Sequence, residues 1–343
     1  MHMADALLSP AVGLAMWGAS AACLAFSARR VRASADDRMT PLMGVLGAFV
    51  FAAQMVNFAI PGTGSSGHLG GGLLLAVLLG PHAALIVIAS VLSVQALFFA
   101  DGGLLALGAN IFNLGVLPCW VAYPLVFRPL AGRQAQGRRM SGAALVAGLV
   151  ALQLGAAGVV LQTVASGISN LPLEAFGALM LGIHVAIGAV EGLATAAILS
   201  FLLRAQPELL APRSTLAPAG SLRLPLGLAA AFTGIVLSAF ASGAPDGLEW
   251  SVERAAAKAE AEAAMPATPW HHSLGSLQER LAWMPDYTLR SSSTQPPVAG
   301  PADEPAFDAG TSLAGLVGSV LVLGVATVAA MVLAFRRRHP PQR

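Results

Sequence analysis

The chain has 343 residues, 56% hydrophobic and only 10% charged, with a formal net charge of +2 and a mean hydropathy of +0.72. Charge that sparse over that length excludes an ordinary soluble enzyme and describes a polytopic membrane protein. The surrounding medium is the lipid bilayer, and no nucleic-acid partner is expected.

A spanning helix needs about 20 apolar residues. Such runs occur at roughly 6–28, 40–60, 69–80, 82–100, 104–127, 141–165, 173–203, 222–242 and 312–335. Nine spans and an all-α fold are therefore expected. The first run follows no cationic stretch and precedes no small-residue cleavage site, so it reads as a retained helix and not a secretory signal. The third run is short, Gly-rich and closed by Gly80-Pro81, which breaks a helix. A short helix can cross part of a bilayer when protein surrounds it.

The arginines orient the spans. Arg29, Arg30, Arg32 and Arg38 follow the first span, and Arg128, Arg133, Arg138 and Arg139 follow the fifth. Arg204, Arg213 and Arg223 lie between the seventh and eighth, and Arg336, Arg337, Arg338 and Arg343 end the sequence. An outside N-terminus and a cytoplasmic C-terminus put every cluster in the cytoplasm, as the positive-inside rule requires. The segment 243–311 carries ten acidic residues against Arg254, Lys258, Arg280 and Arg290, about −6 in all, and falls outside.

This organisation divides the chain into a seven-span bundle (1–204), a Pro/Ala-containing cytoplasmic linker (205–221) and a two-span hairpin within 222–343 that holds the external loop 243–311. Inside that loop, about 249–264 is Ala/Glu-rich and reads as helix, while about 291–307 is Ser/Pro/Gln-rich and reads as poorly ordered.

The chemistry concentrates at the outer end. A free amino terminus followed by histidine is itself a chelator. The Met1 amine, the His2 backbone nitrogen and the His2 imidazole close two small fused rings around one ion. A second histidine, His68, ends the loop Pro61-Gly62-Thr63-Gly64-Ser65-Ser66-Gly67 on the same face and can supply a fourth nitrogen. Planar nitrogen coordination suits Ni(II) or Cu(II), whereas zinc favours a tetrahedron and calcium and magnesium favour oxygen. The plainer readings are an incidental His2 on a disordered terminus and a solvated loop histidine.

Further candidates surround this set. Asp5 can hold the terminus or cap the first helix. Gln54 and Asn57 in the second span, Gln95 in the fourth, and Asn110 and Asn113 in the fifth are polar groups of the kind that bond neighbouring helices. His184 and Glu191, seven apart on one face of the seventh span, suit a relay, an internal pairing or contact with a partner subunit. Trp270-His271-His272 reads as surface decoration. Cys23 and Cys119 sit in apolar runs and form no metal motif.

Absences narrow the class. Lys258 is the only lysine, so no phosphate loop GxxxxGK[ST] exists, and HExxH and GxSxG are absent. Neither enzyme activity nor a cofactor is expected, and any ATP hydrolysis must come from other subunits.

Several motifs in order resemble the CbiM/NikM family, the substrate-binding (S) components of energy-coupling-factor nickel and cobalt transporters. They are Met1-His2-Met3-Ala4-Asp5, Pro41 to Val45, Phe51 to Phe58, Ser66 to Gly71, Asp101 to Asn113, and His184 to Gly188 with Glu191-Gly192. The likeness covers about 1–204. It implies metal ligation by the terminal amine, the His2 backbone and ring nitrogens and His68. It also implies a coupling transmembrane (T) subunit and cytoplasmic ATPase subunits as partners, in a bacterial inner membrane. The family usually has Ile-Pro-Asp-Gly after the histidine, where this chain has Met3-Ala4-Asp5-Ala6. Pro245-Asp246-Gly247-Leu248-Glu249 resembles the PDGLE (NikN-like) accessory component of nickel-type members, which favours nickel over cobalt as the transported ion. Other readings are a cobalt importer for cobalamin synthesis, and a metal-gated channel or sensor without ATPase partners.

Overall fold

The computed structural model describes residues 1–34, 39–132, 137–205, 220–258, 269–289 and 309–338. Most of the linker 205–221, the stretch 291–307, residues 259–264 of the expected Ala/Glu-rich helix, and Arg38, Arg133, Arg213, Arg290 and Arg343 lie outside the described residues. The protein is an all-α polytopic membrane protein. Six helices are long and apolar enough to cross a bilayer among the described residues: α1 (Pro10–Ala33), α4 (Pro81–Phe98), α5 (Leu107–Ala131), α6 (Gly137–Ser166), α7 (Leu173–Ala205), and the Gly310–Phe335 part of α11 (Ala309–Arg338). Two shorter apolar helices join them, α2 (Met39–Gln54) and α8 (Gly220–Phe232), the latter continuing through wider and tighter turns to Phe240.

The first eight residues differ from the expected start of a span at residue 6. Ser9 caps α1 through Val12 N–H, and Pro10 opens it, the position where a missing N–H costs nothing. Met1, Met3, Leu7 and Leu8 are buried within the protein. The terminus is apolar because it is tucked into the bundle and not because it faces lipid. The second run also ends early. After Gln54 the chain turns into a small antiparallel hairpin, β1 (Phe58–Ile60) against β2 (Ser65–Gly67), with Gly62 and Gly64 at positive φ. The third run yields α3 (Gly72–Leu79), eight residues and about 12 Å long. Leu73 and Leu75 at 0% exposure show that protein encloses it.

Helix α5 carries Pro118 and Pro124 and winds in wide i→i+5 turns over Phe112–Phe127. A proline cannot donate to the preceding turn, and wider winding accommodates it. Helices α6 and α7 approach closely because both present glycine: a Cβ at Gly148 would lie 2.7 Å from the Gly192 backbone, the small-residue contact common in membranes. Helix α11 lies along α2, where Gly47 faces Val322 and Ala326. Outward positions such as Leu125, Leu161, Leu193, Phe201, Val320 and Phe335 are exposed and apolar, as a lipid-facing belt requires. The segment between the hairpin helices adds α9 (Gly247–Lys258) and α10 (Pro269–Leu281), which lie over the end of the bundle where the N-terminus enters.

Candidate metal centre

Four stretches distant in sequence meet at that end: the terminus, the 55–71 loop, the 99–106 loop and residues 241–247. The backbone of residue 3 is held on both sides. Met3 N–H donates to Asn110 Oδ1 (2.8 Å), and Met3 O accepts from Asn110 Nδ2 (3.2 Å) and from Gly103 N–H (2.9 Å). Asn113 exchanges two hydrogen bonds with Gln162 on α6, at 2.8 and 3.0 Å. Asp5 accepts from Ala106 N–H at 2.9 Å, so it anchors the terminus to the α5 entry and leaves the α1 cap to Ser9. Gly103 is glycine for a steric reason, since a Cβ there would collide with the Asp5 carboxylate.

The loop carrying His68 is fixed from below and from the side. Both Glu191 oxygens accept backbone N–H groups, from Gly70 (2.8 Å) and Gly71 (3.0 Å). Gln54 Nε2 donates to Gly70 O (2.8 Å), and Gln95 Nε2 donates to Gln54 Oε1 (2.9 Å). His184 does not pair with Glu191. Its Nδ1 donates to Met180 O within α7 (2.7 Å). These polar groups thus position the loop and the terminus. Asn57 Oδ1 is buried without a partner.

His68 Nδ1 lies 3.0 Å from Leu69 O. A carbonyl only accepts, so Nδ1 carries the proton and Nε2 keeps its lone pair. Burial, then the neighbouring amine charge and His2, lower the His68 pKa to about 3, which keeps the ring neutral. Its Nε2 lies 3.4 Å from the Met1 amine, and the His2 and His68 rings stack with centroids 5.0 Å apart. Two nitrogens adjacent on one planar ion, each about 2.0 Å from it, would sit about 2.8 Å apart, so a small adjustment brings this pair to coordinating distance. His2 Nδ1 is 2.9 Å from Asp101 Oδ1, while His2 Nε2 is buried with no partner. Burial opposes the Asp101 charge, but the His2 charge and hydrogen bond outweigh it and hold the carboxyl at about 2. A six-membered ring through the His2 backbone nitrogen closes only through Nδ1, so chelation requires the ring to leave Asp101.

The second segment reaches the same point. Asp246 Oδ2 lies 2.5 Å from the Met1 amine, and its Oδ1 accepts Leu248 N–H (2.9 Å) and Glu249 N–H (2.8 Å), capping α9. Burial opposes the Asp246 charge too, yet the ammonium drives its pKa well below the usual carboxylate range. Ser66 N–H donates to Pro245 O (2.8 Å), and Ser66 bridges Asp246 in parallel, so residues 244–246 extend the β1–β2 ribbon. The expectation that Trp270-His271-His272 merely decorates the surface fails for His271, which is buried and donates from Nε2 to Leu8 O (3.0 Å). Sequence reasoning also missed Asp246 and Asp101 as partners of Met1 and His2, though both stand in the motifs quoted above. Among the described residues, no set of three or more His, Cys, Asp or Glu side chains is arranged to hold a metal. The donors gathered here are an amine and two imidazoles.

Comparison with known proteins identifies the family. The family described as "Cobalt uptake substrate-specific transmembrane region" matches residues 2–209, and the PDGLE domain matches residues 221–335. The fused nickel transport protein NikMN of Rhodobacter capsulatus is 35% identical over 272 residues, 74% of this chain and 76% of its own length. A relative from Archaeoglobus fulgidus is 33% identical over 328 residues, 95% of this chain and 96% of its own. A crystal structure described as a transition metal transporter superposes with a TM-score of 0.53 at 29% identity, covering 60% of this chain and 93% of that one. The protein is therefore a membrane-embedded transport component of the nickel/cobalt class. It belongs to the CbiM family and joins the CbiM/NikM-type region to a PDGLE domain in one polypeptide.

Proposed function

We propose that the protein captures Ni(II), or secondarily Co(II), at the outer face of a bacterial cytoplasmic membrane for ATP-driven import. In this reading residues 1–204 are the S component and 222–343 the accessory domain, joined by the cytoplasmic linker 205–221. A coupling transmembrane subunit and ATPase subunits complete an energy-coupling-factor importer. The metal is bound by the Met1 amine, the His2 backbone nitrogen, His2 Nδ1 and His68 Nε2. The observation that carries this is the approach of the neutral His68 Nε2 to within 3.4 Å of the amine. The His2 backbone and amine must lose protons to ligate, so loading releases protons. The fused relative from Rhodobacter is named a nickel transport protein, which favours nickel.

The test uses purified full-length protein with Met1 as its first residue. Titration with Ni(II) is expected to produce the yellow absorption of planar nickel at one ion per chain. Vesicles are expected to accumulate nickel only when the partner subunits and ATP are present. Nickel flux through the protein alone would replace this reading with a channel, and no binding at all would remove it. Asn110→Leu probes the anchoring. It leaves the buried Met3 N–H unpaired, while Met3 O keeps its bond from Gly103 N–H, which costs about 1–3 kcal/mol. Nickel affinity is expected to fall roughly tenfold by calorimetry with the helical signal retained.

A further inference from the structure

A cavity of about 730 Å³ opens between the bundle and the second segment, and the His2 side chain lies on its wall. Five carboxylates line it: Asp101, Asp246, Glu249, Glu253 and Asp286. No Arg or Lys is found among its described lining residues. The two inner acids are engaged, Asp246 with the Met1 amine and Asp101 with His2 and the Tyr287 hydroxyl. The three outer ones, Glu249, Glu253 and Asp286, are exposed at its mouth. Burial and then the neighbouring Asp246 and Glu253 raise the Glu249 pKa, and burial and then Asp101 raise that of Asp286. Negative charge is thus crowded at the three outer carboxylates, with no Arg or Lys among the described lining residues to match it. A second observation ties the cavity to the nitrogen cluster: the His2 side chain on its wall is only 6% exposed, yet its Nε2 has no partner, so turning the ring to free Nδ1 for an ion breaks no bond at Nε2. A buried nitrogen without a partner is costly unless something else meets it.

We propose that this cavity is a vestibule that gathers hydrated divalent transition-metal cations beside the terminal nitrogen cluster, with Glu249, Glu253 and Asp286 of the second segment as its outer wall. The proposal rests on the reading of Met1, His2 and His68 as the metal site. Hydrated Ni(II) exchanges its waters slowly, so inner-sphere capture proceeds in proportion to the population of hydrated ion already waiting beside the ligands. A cleft lined by one sign of charge raises that population and with it the on-rate, by about 10- to 1,000-fold in strong cases. The second segment contributes four of the five carboxylates, which gives the fusion a kinetic purpose: it speeds loading without adding a ligand to the planar set.

The test is stopped-flow mixing of Ni(II) with full-length protein, following the planar-nickel absorbance. The parent is compared with Glu249→Gln/Glu253→Gln/Asp286→Asn. Asn tolerates the left-handed backbone that Asp286 adopts (φ 50°). At about 0.01 M ionic strength, where the Debye length is about 30 Å, the variant's on-rate is expected to fall about tenfold. At about 1 M, where screening acts within about 3 Å, the two proteins should converge. A fall of less than threefold at low salt would overturn the proposal, as would a larger fall that persists at high salt. Equilibrium titration of the parent separates this from failure of the metal site itself, because a parent that binds no nickel fails before any rate is compared. Should the triple variant not purify, Glu253→Gln alone, on the exposed side of α9, decides the matter, with at least a twofold salt-sensitive fall expected and an unchanged rate overturning it.

Discussion

Two residues added ahead of Met1, or acetylation of its amine, are expected to weaken nickel binding by at least about 100-fold and to abolish the planar absorption. Loss of a supporting outer-sphere partner alone commonly costs 10- to 100-fold in metal affinity, and this change removes a direct donor. Acetylation turns the amine into an amide, which binds Ni(II) only after losing its proton and leaves no free amine to anchor that step, and each added residue carries the new amine up to about 3.8 Å further away. The extension must be two residues and not one. With one added residue, His2 becomes the third residue of a free terminus, and an amine, two amides and an imidazole form a planar site of their own, which would mask the loss. His68→Ala is the companion variant. It keeps the amine and its contact with Asp246 but removes the Nε2 that faces it, so it should lose affinity while the fold and the terminal ion pair persist. Titration of all three proteins beside the parent checks the expectation. Full nickel affinity in the acetylated protein would eliminate the amine as a ligand.

The spans were readable because a bilayer demands long apolar runs, and six of the nine predicted runs correspond to long helices. Where the reading missed, a second cause of apolarity was at work. Residues 1–8 are apolar because they fill the bundle interior, and Pro10 with the Ser9 cap sets the true helix start. The stretch 55–67 continues an apolar pattern but turns at Gly62 and Gly64 into a ribbon of three-residue strands, too short for periodicity to reveal. At the candidate site, Asn110 and Asn113 announced themselves as polar groups in an apolar span, and both do bond their surroundings. His184 and Glu191 share a helix face, but a shared face did not make them partners. Each found backbone groups within reach instead. The contact of Asp246 with Met1 spans 245 positions. In one sequence such a pair leaves no local trace, and the motif holding Asp246 could be read only as a family mark. His271 was misread for the same reason, since its acceptor is Leu8.

Asp246→Asn is expected to raise equilibrium nickel affinity about five- to tenfold while lowering the melting temperature of the metal-free protein. Asparagine is as good a helix cap as aspartate, so the Oδ1 contacts to Leu248 and Glu249 N–H survive and α9 stays in place. What is lost is the charged contact to the amine. Removing one partner of a fully buried pair costs about 3–5 kcal/mol. Asp246 is 25% exposed, so solvent reduces that to about 1–2 kcal/mol. The sign follows from which state holds the contact. Facing Asp246, the metal-free protein carries one positive charge, on the ammonium, because the His2 ring is paired with Asp101 instead. The loaded site carries one as well, two from the ion less one from the deprotonated His2 backbone nitrogen. The long-range attraction to Asp246 is thus similar in both states, and the metal-free state makes the stronger direct bond, the 2.5 Å charge-assisted contact from a full ammonium, where a coordinated amine keeps two N–H donors but has given up the third proton. Loss of that bond penalises the empty protein more, and a factor of ten in affinity corresponds to about 1.4 kcal/mol. If Asp246 were itself a ligand, the same substitution would weaken binding instead. Melting curves with and without nickel, together with calorimetric titration, measure both halves of the expectation. A lower affinity in Asp246→Asn would assign the carboxylate to the metal and not to the amine.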